Sequence, residues 1–237
     1  MTDIESLIHV MKRLRGADGC PWDREQTKEK LKWYLVEECY EVLDAIDKGS
    51  AENLKEELGD ILFQIVFLAE ISQEEGDFDM FDVVNSAREK MIRRHPHVFD
   101  GKSAKDSNEV KKIWWKIKKE EKSKEGNSVL DSIPQSLPSL LMAFKITKRA
   151  AHADFCMDTA DGVLGKLEKA IGEFRKKSRD NDAKRMERDL GDILFSLADL
   201  GRTLGINPEE ALRKTIMEFV SRFKEMERSI GSKVTND

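Results

Sequence analysis

Glu38 and Glu41 stand three residues apart in this 237-residue chain, and Glu57 and Asp60 repeat that spacing a little further on. At helical pitch, a separation of three puts both members of a pair on one face. Glu38 falls within an apolar stripe of Leu31, Leu35, Val42 and Ile46. Asp60 precedes a run (Ile61, Leu62, Phe63, Ile65, Val66, Phe67, Leu68) that is apolar nearly all round. Carboxylates so placed are costly unless compensated. Two antiparallel helices would bring the pairs together, and the acids would then raise one another's pKa values unless a divalent cation neutralised them. The available ligands are all oxygens, which suits Mg²⁺ or Mn²⁺ and argues against zinc or copper. One such pair is usually a solvated face, but two pairs set against apolar stripes on adjacent helices favour a metal cluster. A ferritin-like di-iron bundle needs Glu-x-x-His on two helices, and none of His9, His95, His97 and His152 has Glu three positions earlier.

The elements that must position these acids read as helices throughout. Apolar residues recur at three and four between Gly and Pro punctuation, which predicts helices near 3–15, 27–47, 51–75, 79–94, 106–122, 136–151, 160–178, 182–204 and 208–230. Strand-like alternation is nowhere convincing. The stretch Ser123 to Pro138 loses the helical period and reads as a linker. Leu-Gly-Asp-Ile-Leu-Phe occurs at 58–63 and again at 190–195, so the chain reads as two copies of one helical unit. The expectation is an all-α protein with one domain at 1–124, a linker at 125–135 and a second domain at 136–237.

Composition removes several classes. The 46 acids outnumber the 41 bases for a net charge of −5, which disfavours a protein whose affinity comes from neutralising a nucleic-acid polymer. Cys20, Cys39 and Cys156 have neither CxxC pairing nor metal-ligand spacing, so no disulfide scaffold or zinc site is expected. The longest apolar stretch, Ile61 to Ala69, is interrupted by Gln64 and too short to span a bilayer. With no leader-like start, a cytoplasmic protein away from the membrane is the expectation.

Glu37-Glu38-x-x-Glu41 followed by Glu57-x-x-Asp60 resembles the EExxE…ExxD signature of the all-α nucleoside triphosphate pyrophosphohydrolases. Gly19-Cys20-Pro21-Trp22-Asp23, Leu58-Gly59-Asp60-Ile61-Leu62-Phe63 and Arg93-Arg94-His95-Pro96-His97-Val98-Phe99 resemble the MazG family in particular, as does the two-copy layout along the whole chain. The resemblance implies hydrolysis of a nucleoside triphosphate between its α and β phosphates, with Mg²⁺, or Mn²⁺ as a substitute, held by Glu38, Glu41, Glu57 and Asp60. Glu37 is the spare carboxylate, placed to orient water or to bond a lysine.

A triphosphate carries more charge than one metal ion cancels, so basic groups should converge on the acids. Lys90, Arg93 and Arg94 on the fourth predicted helix are candidates, and the resemblance assigns nucleotide contacts to Lys90, Arg94, Trp114 and Lys118. The Lys-rich stretch 111–124 reads equally well as a solvated helix face anchored by a tryptophan. Trp22 and Asp23 offer a stacking ring and a carboxylate for a base edge, or else a core anchor and a helix cap. His95 and His97 read as structural.

Aligned on the repeated hexapeptide, Glu37 and Glu38 correspond to Lys169 and Ala170, while Glu173, Asp189 and Asp192 match Glu41, Glu57 and Asp60. Lys90 corresponds to Glu218. The second copy is therefore expected to be degenerate and silent. A homodimer or higher homo-oligomer is expected from the apolar surface of the third helix. The rival reading is a non-catalytic protein that binds nucleotides or regulatory ligands through the same metal cluster.

Overall fold

The computed structural model describes residues 4–101, 103–123, 128–153, 155, 158–177 and 182–234. Every regular element among them is helical, so the all-α expectation holds. The chain forms two compact units, 1–114 and 115–237. Their boundary falls inside a helix rather than in the 125–135 stretch where the sequence places a linker. Residues 124–127 of that neighbourhood lie outside the described residues.

The first unit contains α1 (Ile4–Arg15), α2 (Pro21–Arg24), α3 (Lys28–Lys48), α4 (Ala51–Glu74), α5 (Met80–Arg94), α6 (Pro96–Phe99) and the first part of α7 (Ser107–Ser123). The α3–α4 hairpin is set by local chemistry. Thr27 caps α3 by accepting from the Lys30 amide, and Ser50 caps α4 by accepting from the Asn53 amide. Between them Gly49 ends α3 in the left-handed region at φ 66°, where a side chain would be strained. With only Gly49 and Ser50 between the helices, α4 must run back antiparallel along α3. α5 starts from a capping box in which the side chains of Asp79 and Asp82 each accept from the other's amide. The core of this unit is Ile8, Met11, Leu31, Val66, Phe67, Ala69, Ile71 and Met80, drawn from α1, α3, α4 and the start of α5. α2 and α6 were not anticipated: each has four residues, too few for a periodic signal, and each begins with a proline.

The second unit contains α8 (Ser139–His152), α9 (Ala160–Lys177), α10 (Ala183–Leu204) and α11 (Pro208–Val234). Val163, Leu167 and Ala198 are buried where α9 packs on α10. Gly201 is required where α10 turns toward α11, because a Cβ would meet the Ile206 carbonyl oxygen at 2.7 Å.

The apolar stripes are only partly covered within the chain. Leu31 is buried and Leu35 and Val42 are half-buried, but Ile46 is 54% exposed, as is 51% of Leu58 on the facing helix. The core thus begins about four turns into α4, one to two turns beyond Asp60.

Candidate active site

The hairpin brings the acids together. Side-chain oxygens of Glu38, Glu41 and Glu57 all lie within 4.8 Å of one another, the one such group among the described residues. Glu38 and Glu57 are half-buried, Glu41 is exposed, and Asp60 stands exposed beside them. Burial raises the Glu38 carboxyl above the usual carboxylate range, and the charges of Asp60, Glu41 and Glu57 push it further. Burial likewise raises Glu57, followed by the charge of Glu41, its hydrogen-bonding reach and the charge of Asp60. Asp60 is therefore an electrostatic neighbour of the trio rather than a member of it. Glu37 is exposed.

Four acids crowded at the mouth of a core are strained while charged, and a cation in their midst reverses the sign of every one of those interactions. The donor set is oxygen only, at a spacing that a hard divalent cation fits. Glu38, Glu41 and Glu57 could hold it, with Asp60 as a further ligand or a partner to its water.

The predicted basic and aromatic groups are distributed differently. Lys90 and Arg93 line an open polar surface along α5 with Asp82, Asn85 and Glu89. The Arg94 guanidinium lies over the Trp114 ring, 5.6 Å from its centroid, so these two candidates meet. Lys118 belongs to the second unit, with its ammonium over the Trp115 ring at 5.3 Å. The largest charge effects on Glu38 and Glu57 come from the neighbouring acids.

Trp22 is 54% exposed, so it is no core anchor, whereas Asp23 is buried. Trp22 meets Tyr34 edge to face, with centroids 6.1 Å apart. Sequence reasoning passed over Tyr34. The signal was the helical spacing, since 34, 38 and 41 share a face of α3 and this aromatic stands one turn before Glu38. It also passed over Arg15, which fastens the loop that carries Trp22. The Arg15 side chain donates to both carboxylate oxygens of Glu74 at 2.7 and 2.6 Å and to the Asp23 carbonyl at 2.5 Å.

Residues 26–99, which include all five acids of the cluster region, match the family model described as the MazG nucleotide pyrophosphohydrolase domain. The chain is 44% identical over 226 residues to a Thermotoga maritima protein named nucleoside triphosphate pyrophosphohydrolase/pyrophosphatase MazG, covering 95% of this chain and 86% of that one. The chain belongs to the MazG family. An Escherichia coli relative named nucleoside triphosphate pyrophosphohydrolase is also 44% identical, over 98% of this chain and 90% of its own length, so the likeness takes in both units. A Mycobacterium tuberculosis relative of the same name is 37% identical over 94% of this chain and 58% of its own length. All five acids fall inside the matched segment.

Glu173 pairs with Lys176 at 3.2 Å, an ordinary exposed contact within one helix. No helix of the described residues is long and apolar enough to cross a membrane.

Proposed function

We propose that this MazG-family chain hydrolyses nucleoside triphosphates between the α and β phosphates, yielding a nucleoside monophosphate and pyrophosphate, at the Glu38, Glu41, Glu57 and Asp60 cluster. The observation that carries this reading is the trio of carboxylates converging within 4.8 Å inside the segment that matches the family. The three relatives named above bear the corresponding activity in their names.

Mg²⁺, or Mn²⁺ in its place, would be held by these acids and would supply neutralisation of the phosphates and activation of water. The chain's own groups do the rest. Glu37, exposed beside the cluster, is free to orient a water molecule or accept its proton. Lys90, Arg93 and Arg94 offset charge on the departing pyrophosphate once the substrate draws α5 and the acids together. Trp22 and Tyr34 offer an exposed aromatic corner for a base, one turn from Glu38. The second unit serves folding or assembly, because Lys169 and Ala170 stand where Glu37 and Glu38 are needed.

The protein acts in the cytoplasm as a homodimer or higher homo-oligomer. Tyr40, Leu43, Ile46, Leu58 and Leu62 on α3 and α4 are between 37% and 54% exposed, an apolar face that a second copy would cover. Incubation with nucleoside triphosphates and Mg²⁺, with chromatography of the products, tests the reading. Monophosphate and pyrophosphate are expected. Diphosphate and orthophosphate would place the cut at the β–γ bond and overturn it, and metal-dependent binding without products would favour the non-catalytic alternative.

A further inference from the structure

Glu57, Asp60, Gln64, Phe67 and Ile71 succeed one another at intervals of three and four, so they share the face of α4 that packs against α3. Phe67 and Ile71 belong to the core, and an apolar side chain is what position 64 would ordinarily hold. Gln64 is 8% exposed. Its Oε1 is buried and has no hydrogen-bond partner among the described residues, which is costly for an acceptor in such surroundings. The repeated hexapeptide sets Ser196 at the same place in the second unit, where the hydroxyl donates to the Asp192 carbonyl on its own helix at 2.8 Å. The copy that has lost acids satisfies this position internally, and the copy that retains them leaves an acceptor open.

The hairpin fixes where that acceptor lies. Glu41 meets Glu57, and Asp60 acts on Glu38, so one turn further in the same direction Gln64 is level with Tyr34 and Leu35. Tyr34 is the ring that meets Trp22. At 1.5 Å of rise per residue, Gln64 stands about 6 Å beyond Asp60 and about 10 Å beyond Glu57 along the helix. That separation is too long for a water on a cation held by the trio, and it suits the sugar and base of a nucleotide whose phosphates the cation binds.

We propose that Gln64 determines base preference, its Oε1 accepting a hydrogen bond from the exocyclic amino group of adenine, cytosine or guanine while Trp22 and Tyr34 meet the face of the ring. An exocyclic amine projects furthest from a base and has no oxygen beside it. The ring N–H of uracil or thymine lies between two carbonyl oxygens, which would face Oε1 and oppose it. The inference rests on the reaction proposed above, because it takes the nucleotide's phosphates to lie at the acids and its base at the aromatic corner. It adds the polar group that reads the base.

The test is steady-state hydrolysis by the full chain with Mg²⁺, comparing ATP with purine riboside triphosphate, GTP with ITP, and CTP with UTP, in the parent and in Gln64→Met. Each pair sets a base with the amino group against one without it, and methionine keeps the length of the side chain while removing the open acceptor. In at least one pair the parent should favour the amino-bearing member about tenfold or more in kcat/KM, the worth of one hydrogen bond at a buried acceptor. Gln64→Met should bring that ratio near unity, with Tm in EDTA equal to or above the parent's. A merely structural glutamine would not move a ratio between two substrates. Three results would overturn the proposal: a parent indifferent to the amino group in all three pairs, a preference that survives in Gln64→Met, or a lower Tm in that variant, which would show the amide to be part of the fold. Should no triphosphate be cut, the same pairs are compared by calorimetric titration with Mg²⁺. Preference in binding that depends on Gln64 would then sink the proposed reaction and leave this inference standing, absence of binding would overturn both, and hydrolysis without the preference would overturn this inference alone.

Discussion

Replacing Arg15 with methionine should be among the most damaging single changes in the first unit that touch none of the clustered acids. The Arg15 side chain is only 8% exposed and joins three elements, with a bidentate contact to Glu74 on α4 and bonds to the carbonyls of Asp23 and Gln26. It also lies over the Phe67 ring at 5.4 Å, where the methionine stem would keep the apolar contact. Glu74 is 41% exposed and rehydrates when released, so that half of the loss is about 1 kcal/mol. Asp23 and Gln26 are 7% and 6% exposed, and a carbonyl left there without a donor costs about 1–3 kcal/mol. The total is about 3 kcal/mol, which for a domain of roughly 100 residues lowers Tm by about 12 °C. Circular dichroism melts would show this in the transition of the first unit, with Arg15→Lys falling between the two because an ammonium cannot make the paired contact. Limited proteolysis should cut sooner within 16–27, the segment that Arg15 holds down. A fall in Tm of less than about 3 °C would refute the view that Arg15 locks this loop.

Glu41→Gln and Asp60→Asn should each abolish triphosphate turnover while leaving Tm in EDTA equal to or above the parent's; wild-type turnover in either would reduce the acids to a solvated face. The pH dependence follows from Glu38, whose carboxyl is held above its ordinary 4.5 by burial and the acids around it. An acid raised in this way stabilises the fold fully below the ordinary value, and that contribution is lost as pH rises through the raised one. In EDTA the Tm advantage of Glu38→Gln over the parent should therefore be absent below pH 4.5 and grow above it, and a flat or reversed difference would count against the crowding. Gly19→Ala should destabilise by roughly 2–3 kcal/mol in urea titrations. Its Cβ would lie 2.2 Å from the Leu14 carbonyl oxygen and 2.4 Å from that of Arg13, forcing the loop off α1. An unchanged urea midpoint would show that the loop yields easily.

What the sequence revealed of this molecule tracks the range over which each interaction acts. The helices at 27–47 and 51–75 appear as Lys28–Lys48 and Ala51–Glu74 because their ends are written locally, in Thr27, Gly49 and Ser50. The same two-residue turn carries the site, since antiparallel pairing alone is enough to set Glu38 and Glu41 against Glu57. Side-chain exposure is less local, and it separates the acids: three close into a trio while Asp60 remains at its edge. Trp22 shows the same limit. Its exposure depends on how α2 lies against α3, and a four-residue helix begun by Pro21 leaves no periodic trace from which to infer that. The bond from Arg15 to Glu74 spans 59 residues, and neither partner stands in a motif.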